Sequence, residues 1–136
     1  MENEIFVDTS VFYAFLDKDD KEHKKVKKIF KQYENKLITS NYIIDEFITL
    51  LRVRKIPFKK FEVFIDEIFE EDILKVLKIT VETEIAAWNL LKKYKEHPFS
   101  FTDCTSFVLM NKNKIKSCLS FDKHFVIAGF LNLLEQ

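Results

Sequence analysis

Four acidic side chains occupy positions from which they could act together on a metal ion. Asp8 and Asp122 each directly follow a short apolar run that is typical of a strand. Asp103 and Glu46 lie within the first turns of two predicted helices. Carboxylate oxygens suit Mg²⁺ or Mn²⁺, and several carboxylates in one place repel one another unless a cation lies among them. The four residues therefore predict a divalent-metal site.

Each of these acids also has a simpler structural interpretation. An acid at a helix start is often a capping or dipole partner that contributes up to about 1 kcal/mol. This interpretation fits Asp103. It fits Glu46 better, because the neighbouring Asp45 could equally face either way and helix amphipathicity alone explains both acids. It fits Asp8 and Asp122 poorly, because an aspartate that closes an apolar strand contributes nothing to packing. The four positions together favour the metal site over capping.

The order of apolar segments predicts which elements hold these acids. Strands are predicted at 5–7, 37–38, 73–79, 117–121 and 130–134, and helices at 19–35, 41–54, 58–71, 81–96 and 103–111. Parallel strands need crossover connections, so this alternation predicts a three-layer α/β/α domain with a short, mainly parallel central sheet. Ligands of such sheets bind beyond the carboxyl ends of the strands, which is where Asp8 and Asp122 lie.

The composition excludes several other kinds of site. The chain of 136 residues contains one glycine, whereas phosphate-binding loops, dinucleotide-binding loops and nucleophile elbows all depend on glycine. Its 22 basic and 22 acidic residues give a net charge of zero, so no overall field indicates a nucleic acid or a membrane as partner. A hydrophobic content of 47% excludes intrinsic disorder. The length predicts one domain, residues 1–136.

Cysteine usage and the terminal sequence predict the compartment. Cys104 and Cys118 do not form a C-x-x-C pair or suggest a disulfide framework, which favours a reducing cytosol. The N-terminus lacks the charged and apolar regions of a signal peptide, and no run approaches the roughly 18 apolar residues of a membrane span. We therefore expect a cytoplasmic protein without a membrane partner.

Basic clusters are candidates for binding phosphate groups. Residues 18–36 hold eight lysines against four acids, and residues 52–60 hold five basic residues and no acid. Solvated helix faces explain either cluster on its own. The second cluster stands out because it follows the helix that carries Glu46, so we predict substrate contacts from Arg52, Arg54 and Lys55.

The histidine and cysteine side chains do not predict a second metal site or a nucleophile. The histidines His23, His97 and His124 lack the spacing of zinc ligands. His124 could contact a substrate because it lies two residues after Asp122, but a surface or packing role is the expected one. Cys104, beside Asp103, is interpreted as a core cysteine rather than a nucleophile.

Four segments resemble, in order, the acidic blocks of the PIN-domain nucleases, particularly the VapC-type toxins. They read IFVDTSVFYAFLD, TSNYIIDEFITLL, SFTDCTSFVLM and CLSFDKHF, and the tail FDKHFVIAGFLNLL resembles the end of the family. The metal-binding acids of the family correspond here to Asp8, Glu46, Asp103 and Asp122. The hydroxyl that typically follows the first acid corresponds to Thr9 or Ser10, which we add to the predicted substrate contacts.

The resemblance implies a PIN-like fold and Mg²⁺- or Mn²⁺-dependent cleavage of single-stranded RNA by a metal-activated water. It also implies a cognate antitoxin, as in VapBC-type toxin–antitoxin pairs, and a homodimer. Asp8 and Asp103 would be the primary ligands, Asp122 would complete the coordination or position a water, and Glu46 would hold a second ion or act as a base. By the same analogy, Phe58, Phe61 and Phe64 would lie along a dimer or antitoxin groove.

Three alternatives use the same acids differently. A PIN-fold module that binds RNA or protein without turnover has no need to keep four mutually repelling carboxylates. A haloacid-dehalogenase-like phosphatase with Asp8 as nucleophile needs a second aspartate where Ser10 stands. A phosphorylated receiver domain needs a lysine that closes a strand beside the acids, and no lysine has that place. The binding module remains the main alternative.

Overall fold

The computed structural model describes residues 3–135, so residues 1, 2 and 136 of the predicted domain lie outside the described part. The sheet consists of β1 (Ile5–Val7), β2 (Leu37–Ser40), β3 (Lys75–Leu77), β4 (Ser117–Leu119) and β5 (Leu131–Asn132). Its order is β3-β2-β1-β4-β5, and every pair is parallel. The prediction of an α/β domain with a parallel central sheet is confirmed.

Helices connect all the strands. They are α1 (Thr9–Leu16), α2 (His23–Gln32), α3 (Asn41–Val53), α4 (Glu62–Phe69), α5 (Val81–Lys93), α6 (Phe101–Lys112) and α7 (His124–Ile127), with short 3₁₀ turns at Phe58–Lys60 and Leu133–Glu135. None of the helices within residues 3–135 combines the length and the apolar character needed to cross a lipid bilayer.

Burial explains why β1 lies at the centre of the sheet. Its residues are Ile, Phe and Val, at most 3% exposed, and such a continuous apolar run is typical of a strand covered on both faces. The neighbouring β2 is also buried throughout, whereas Lys75 of β3 and Leu131 of β5 are exposed, as edge positions are. The carboxyl ends of β1 and β4 therefore meet in the middle of the sheet, where Asp8 and Asp122 follow them.

Several predicted boundaries were wrong for local reasons. The segment TSVFYAFL of α1 was not predicted as a helix because it is almost uniformly apolar and shows no helical period. The predicted helix 19–35 begins only at His23, after turns that include Asp20. The predicted helix 58–71 divides at Phe61, whose φ of −130° interrupts the helical backbone. The four-residue helix α7 was missed because it is too short to show the helical period of apolar residues.

Phenylalanine rings fill much of the core. Phe12 packs against the rings of Phe30, Phe47 and Phe64, with centroids 5.6 to 6.3 Å apart, and a second group joins Phe107, Phe125 and Phe130. The expectation that Phe61 and Phe64 line a groove was wrong, because both are buried in this core. Phe58 is 55% exposed and is the member of that set available to a partner.

Candidate active site

Asp8 reaches the site from the junction of β1 and α1. It has the extended backbone of an N-cap residue, yet its side chain makes no capping hydrogen bond to α1. Instead, Oδ2 accepts hydrogen bonds from the hydroxyl of Ser120 at 2.9 Å and from that of Ser10 at 3.3 Å. The carboxyl group is thus held at 2.9 Å by the residue that follows the neighbouring strand and at a longer distance by a side chain of its own helix.

The environment of Asp8 disfavours its charge. Burial raises its pKa from 3.8 to about 7, and the hydrogen bond from Ser120 offsets part of that effect. The charges of Asp103 and Glu46 raise the pKa further. A buried carboxyl group at this pKa becomes a full anion at neutral pH only if a cation approaches it.

Asp103 occupies the first turn of α6, and here the capping interpretation also holds. Its N–H donates to Oγ of Ser100 at 2.9 Å, and the N–H of Ser100 donates to Oδ2 of Asp103 at 3.0 Å, which forms a capping box. The same Oδ2 lies 2.8 Å from Nδ1 of His124. Asp103 therefore caps its helix and faces the site at once.

Asp122 follows β4 and lies beside the same histidine. Its N–H donates to Oγ of Ser120 at 2.9 Å, and its Oδ1 accepts from the N–H of His124 at 2.9 Å. Its Oδ2 lies 3.2 Å from Nδ1 of His124. One possible ligand atom from each of Asp103, Asp122 and His124 lies within 4.8 Å of the other two.

Glu46 lies on α3, which begins where β2 ends. Ser40 caps this helix by accepting a hydrogen bond from the N–H of Ile43. Oε1 of Glu46 accepts a hydrogen bond from the hydroxyl of Thr9, whereas Asp45 is exposed. The pKa of Glu46 is raised, mainly by burial, although the hydrogen bond from Thr9 opposes this and nearby acids including Asp103 add to it. The structure therefore shows that Glu46, and not the neighbouring Asp45, belongs to the site.

All four predicted acids line one open cleft of about 730 Å³ at the carboxyl edge of the sheet. Of the predicted substrate contacts, Thr9, Ser10 and Arg54 line this cleft, whereas Arg52 and Lys55 do not. The guanidinium of Arg54 lies 4.3 Å from the ring centroid of Tyr13, which also lines the cleft. The arginine that lines the cleft is thus stacked on an aromatic ring.

The two predicted hydroxyls contact protein groups in the cleft. Thr9 is buried and donates to Glu46. Oγ of Ser10 accepts from the N–H of Phe121 at 3.1 Å and lies within 3.3 Å of Asp8. These contacts position the carboxylates. Substrate binding by either hydroxyl stays a prediction.

Sequence reasoning missed the groups that support the acids. Asn132 on β5 donates from Nδ2 to the carbonyl of Ser120 at 2.7 Å and accepts the N–H of Ser120 at 3.3 Å through Oδ1. Ser120 in turn donates a hydrogen bond to Asp8, so the edge strand β5 is linked to the site through Asn132 and Ser120. The hydroxyl two residues before Asp122 was the available signal for Ser120, and nothing local pointed to Asn132. The expected surface or packing role of His124 was incomplete, because its ring contacts two of the acids.

The cysteine next to the site is a core residue, as expected. Cys104 is fully buried, and its pKa is raised to about 11 by burial and by the charge of Asp103. It is therefore a neutral thiol at physiological pH, unlike a nucleophilic cysteine.

The donor set fits a divalent ion. Within residues 3–135 no lysine or arginine forms an ion pair with the four acids, and two of them, Asp103 and Asp122, lie beside the imidazole of His124. The buried carboxyl group of Asp8 accepts side-chain hydrogen bonds from the hydroxyls of Ser120 and Ser10. Uncompensated carboxylates of this kind match the oxygen ligands that Mg²⁺ and Mn²⁺ require.

Comparison with known proteins agrees with this arrangement. The PIN domain family matches residues 5–131. The 23S rRNA-specific endonuclease VapC20 of Mycobacterium tuberculosis is 33% identical over 129 residues, which cover 95% of this chain and 97% of the relative. A VapC ribonuclease of Archaeoglobus fulgidus is 32% identical over 124 residues, which cover 88% of this chain and 77% of the relative.

A solved structure extends the likeness to three dimensions. The crystal structure of M. tuberculosis VapC20, described as a sarcin–ricin loop cleaving toxin, has a TM-score of 0.87 and 32% identity with this chain. The match covers 96% of this chain and 98% of that one. The PIN-like fold predicted from the sequence is thereby confirmed. Since both the family match and the relatives span most of the sequence, the chain belongs to the PIN domain family and, within it, to the VapC-like members.

Proposed function

We propose that this protein is a Mg²⁺- or Mn²⁺-dependent endoribonuclease that cleaves single-stranded regions of RNA. The observation that carries the proposal is the convergence of Asp8, Glu46, Asp103 and Asp122 on one cleft, where none of them forms an ion pair with a lysine or arginine of the described residues. The relatives named as ribonucleases support the reaction class. The relative named for 23S rRNA supports ribosomal RNA as the first substrate to test.

In this mechanism the carboxylates hold the divalent ion. When bound, the ion lowers the pKa of a water molecule and offsets negative charge on the phosphodiester. Asp8 and Asp103 would be the primary ligands, and Asp122 would complete the set or orient a water molecule. Glu46, whose pKa is raised, is suited to accept a proton or to hold a second ion.

The hydroxyl groups keep these carboxylates in place. Ser120 fixes one oxygen of Asp8, and Thr9 fixes Oε1 of Glu46. Arg54 is placed to contact an RNA phosphate, because it lines the cleft and its stacking on Tyr13 restricts its motion. Since the acids themselves repel phosphate, RNA binding in the cleft is expected to depend on the divalent ion.

Cleavage of a hairpin RNA with the sarcin–ricin loop sequence, with Mn²⁺ or Mg²⁺ present, tests the proposal. Asp103→Asn should slow cleavage about a hundredfold or more, because a lost metal ligand removes several kcal/mol of transition-state stabilisation. Asp45→Asn is the matched control, since Asp45 is exposed and adjoins Glu46, and it should leave the rate unchanged. Metal-dependent cleavage that persists in Asp103→Asn would contradict the site assignment.

The same assay separates the nuclease from a PIN-fold binding module. A nuclease should lose its activity in EDTA and regain it when Mn²⁺ is restored. RNA binding without cleavage at any concentration of either ion, in protein that unfolds cooperatively, would favour the catalytically weak module.

We also propose that the protein is the cytoplasmic toxin of a VapBC-type pair and forms a homodimer. Exposed apolar side chains in the described part include Val53, Phe58, Val63 and Phe69, and, at helical spacing along α5, Val81, Ile85 and Trp88. Phe58→Ser should weaken inhibition of cleavage by a small protein encoded next to this one. Trp88→Ser should lower the molar mass measured by light scattering if α5 forms the dimer contact.

A further inference from the structure

His124 is placed among the acids by its backbone as well as by its ring. Its N–H donates to Oδ1 of Asp122, which fixes the start of α7 at the mouth of the cleft. Its ring packs edge to face against Phe99, with centroids 5.6 Å apart, and the side chain is 18% exposed. The imidazole therefore lies in the cleft wall and does not extend freely into solvent.

The nitrogen nearest the acids contacts two carboxylates at once. Nδ1 lies 2.8 Å from Oδ2 of Asp103 and 3.2 Å from Oδ2 of Asp122. A single N–H can satisfy only one of these oxygens well. Neighbouring ligands of an octahedral ion with bonds of about 2.1 Å lie about 3.0 Å apart. Both distances are close to that separation, and the three atoms lie within 4.8 Å of one another, as three donors to one ion would.

We propose that Nδ1 of His124 is a ligand of the divalent ion in this cleft, together with Asp103 and Asp122. The proposal rests on the metal-dependent function proposed above and adds a nitrogen donor to an otherwise carboxylate centre. Imidazole suits transition metals, whereas Mg²⁺ strongly prefers oxygen and geometry close to ideal. The centre should therefore bind Mn²⁺ more tightly than Mg²⁺, with His124 as the source of that preference.

Two substitutions of His124 separate ligation from packing. His124→Phe keeps an aromatic ring against Phe99 and removes both nitrogens. His124→Asn places an amide group near the position of Nδ1. His97→Phe is the matched control, because His97 is an exposed histidine that stacks on Phe99 with centroids 5.1 Å apart and does not line the cleft.

The affinities of the whole protein for Mn²⁺ alone and Mg²⁺ alone, measured by titration calorimetry without RNA, give the first readout. His124→Phe should weaken Mn²⁺ binding about tenfold or more, a loss typical even of residues that only orient a ligand. Mg²⁺ binding should weaken less, so the preference for Mn²⁺ falls. His124→Asn should retain more affinity than His124→Phe, and His97→Phe should match the wild type.

Electron spin echo envelope modulation of bound Mn²⁺ gives the decisive readout. The wild type and His97→Phe should show modulation from a directly coordinated ¹⁴N, and His124→Phe should not. If the wild type binds Mn²⁺ without ¹⁴N modulation, His124 is not a ligand, whether or not His124→Phe changes the affinity, and the metal-dependent nuclease stands. If the wild type binds neither ion at millimolar concentration, the proposed function fails and this inference fails with it.

Discussion

The starts of α1 and α6 both place an aspartate in the cleft, but the two helices use that residue differently. At α6, Asp103 forms a capping box with Ser100. At α1, Asp8 occupies the N-cap position, gives its helix no side-chain hydrogen bond and is 6% exposed. Asp103 thus stabilises its own helix and serves the site, whereas Asp8 serves the site at the expense of stability.

The difference shows which acid carries more information about function. Capping alone could account for the aspartate at α6, because that role needs no metal. Capping cannot account for Asp8, whose hydrogen bonds come from Ser120 and Ser10 instead. A buried carboxyl group that weakens the metal-free fold is expected where a cation compensates for it.

The largest predicted effect is the pH dependence of the metal-free protein. The unfolded chain loses the Asp8 proton above pH 3.8, whereas the folded protein keeps it until about pH 7. Between these values the folded state binds more protons, so the free energy of unfolding falls as pH rises, by about 4 kcal/mol for this group. Asp8→Asn should remove this decline and be more stable than the wild type at pH 8. Urea denaturation in EDTA measures the free energy of unfolding of the wild type and of Asp8→Asn at each pH. An equal decline with pH in the two proteins would refute the role given to Asp8.

Adding metal should narrow the difference in stability between the wild type and Asp8→Asn. A ligand at 100 times its Kd stabilises the folded state by about 2.7 kcal/mol. Mn²⁺ should therefore stabilise the wild type at pH 7 and stabilise Asp8→Asn much less, because that variant lacks a primary ligand. Thermal unfolding with and without Mn²⁺ tests this expectation. Equal stabilisation of both proteins would place the ion away from Asp8.

Replacing the serine that contacts each aspartate tests the difference between Asp8 and Asp103. Ser120→Ala removes the donor to Asp8 and the acceptor for the N–H of Asp122, so Mn²⁺ affinity should fall about 10- to 100-fold. Titration calorimetry measures the affinity, and Ser106→Ala is the control, because its hydroxyl donates to the carbonyl of Thr102 within α6. An affinity unchanged in Ser120→Ala would show that Asp8 needs no support from β4.

The smallest expected effect is at α6. Ser100→Ala removes the cap of that helix and should lower the free energy of unfolding by about 1 kcal/mol. Its effect on Mn²⁺ affinity should be smaller than that of Ser120→Ala, because the carboxylate of Asp103 keeps its contact with His124. The opposite ranking of the two serines in the binding experiment would mean that the capping box, rather than the strand end, positions the metal ligands.

The strand–helix alternation was predictable because it depends on local signals. Central strands buried on both faces appear as continuous apolar runs, as at Ile5–Val7, and Thr80 caps α5 at the predicted helix start. Segments without a local period were mistaken or missed, notably α1 and α7. Phe61 and Phe64 were assigned to a groove because the sequence does not distinguish an apolar side chain that faces the core from one that faces a partner.

The acids of the site were predictable from the sequence, whereas the residues that hold those acids in place were not. Asp8 and Asp122 follow strands, so their place at the carboxyl edge follows from the parallel sheet. Glu46 and Asp45 had equivalent local patterns, and the structure distinguishes them through the hydrogen bond from Thr9. Asn132 is a single polar residue in an apolar tail, and its link to Ser120 depends on the pairing of β4 with β5.

The sequence by itself determined the class of fold, the order of the acidic segments and the ion class they suit, because strand burial, helix capping and ligand hardness depend on residue type and spacing. It also determined that phosphate chemistry here cannot rely on glycine-rich loops. Only the tertiary structure decided that Asp8 is buried against Ser120, that Arg54 and not Arg52 lines the cleft, and that His124 contacts two acids. Those facts depend on strand order and side-chain direction, which bring together residues more than a hundred positions apart, such as Asp8 and Ser120.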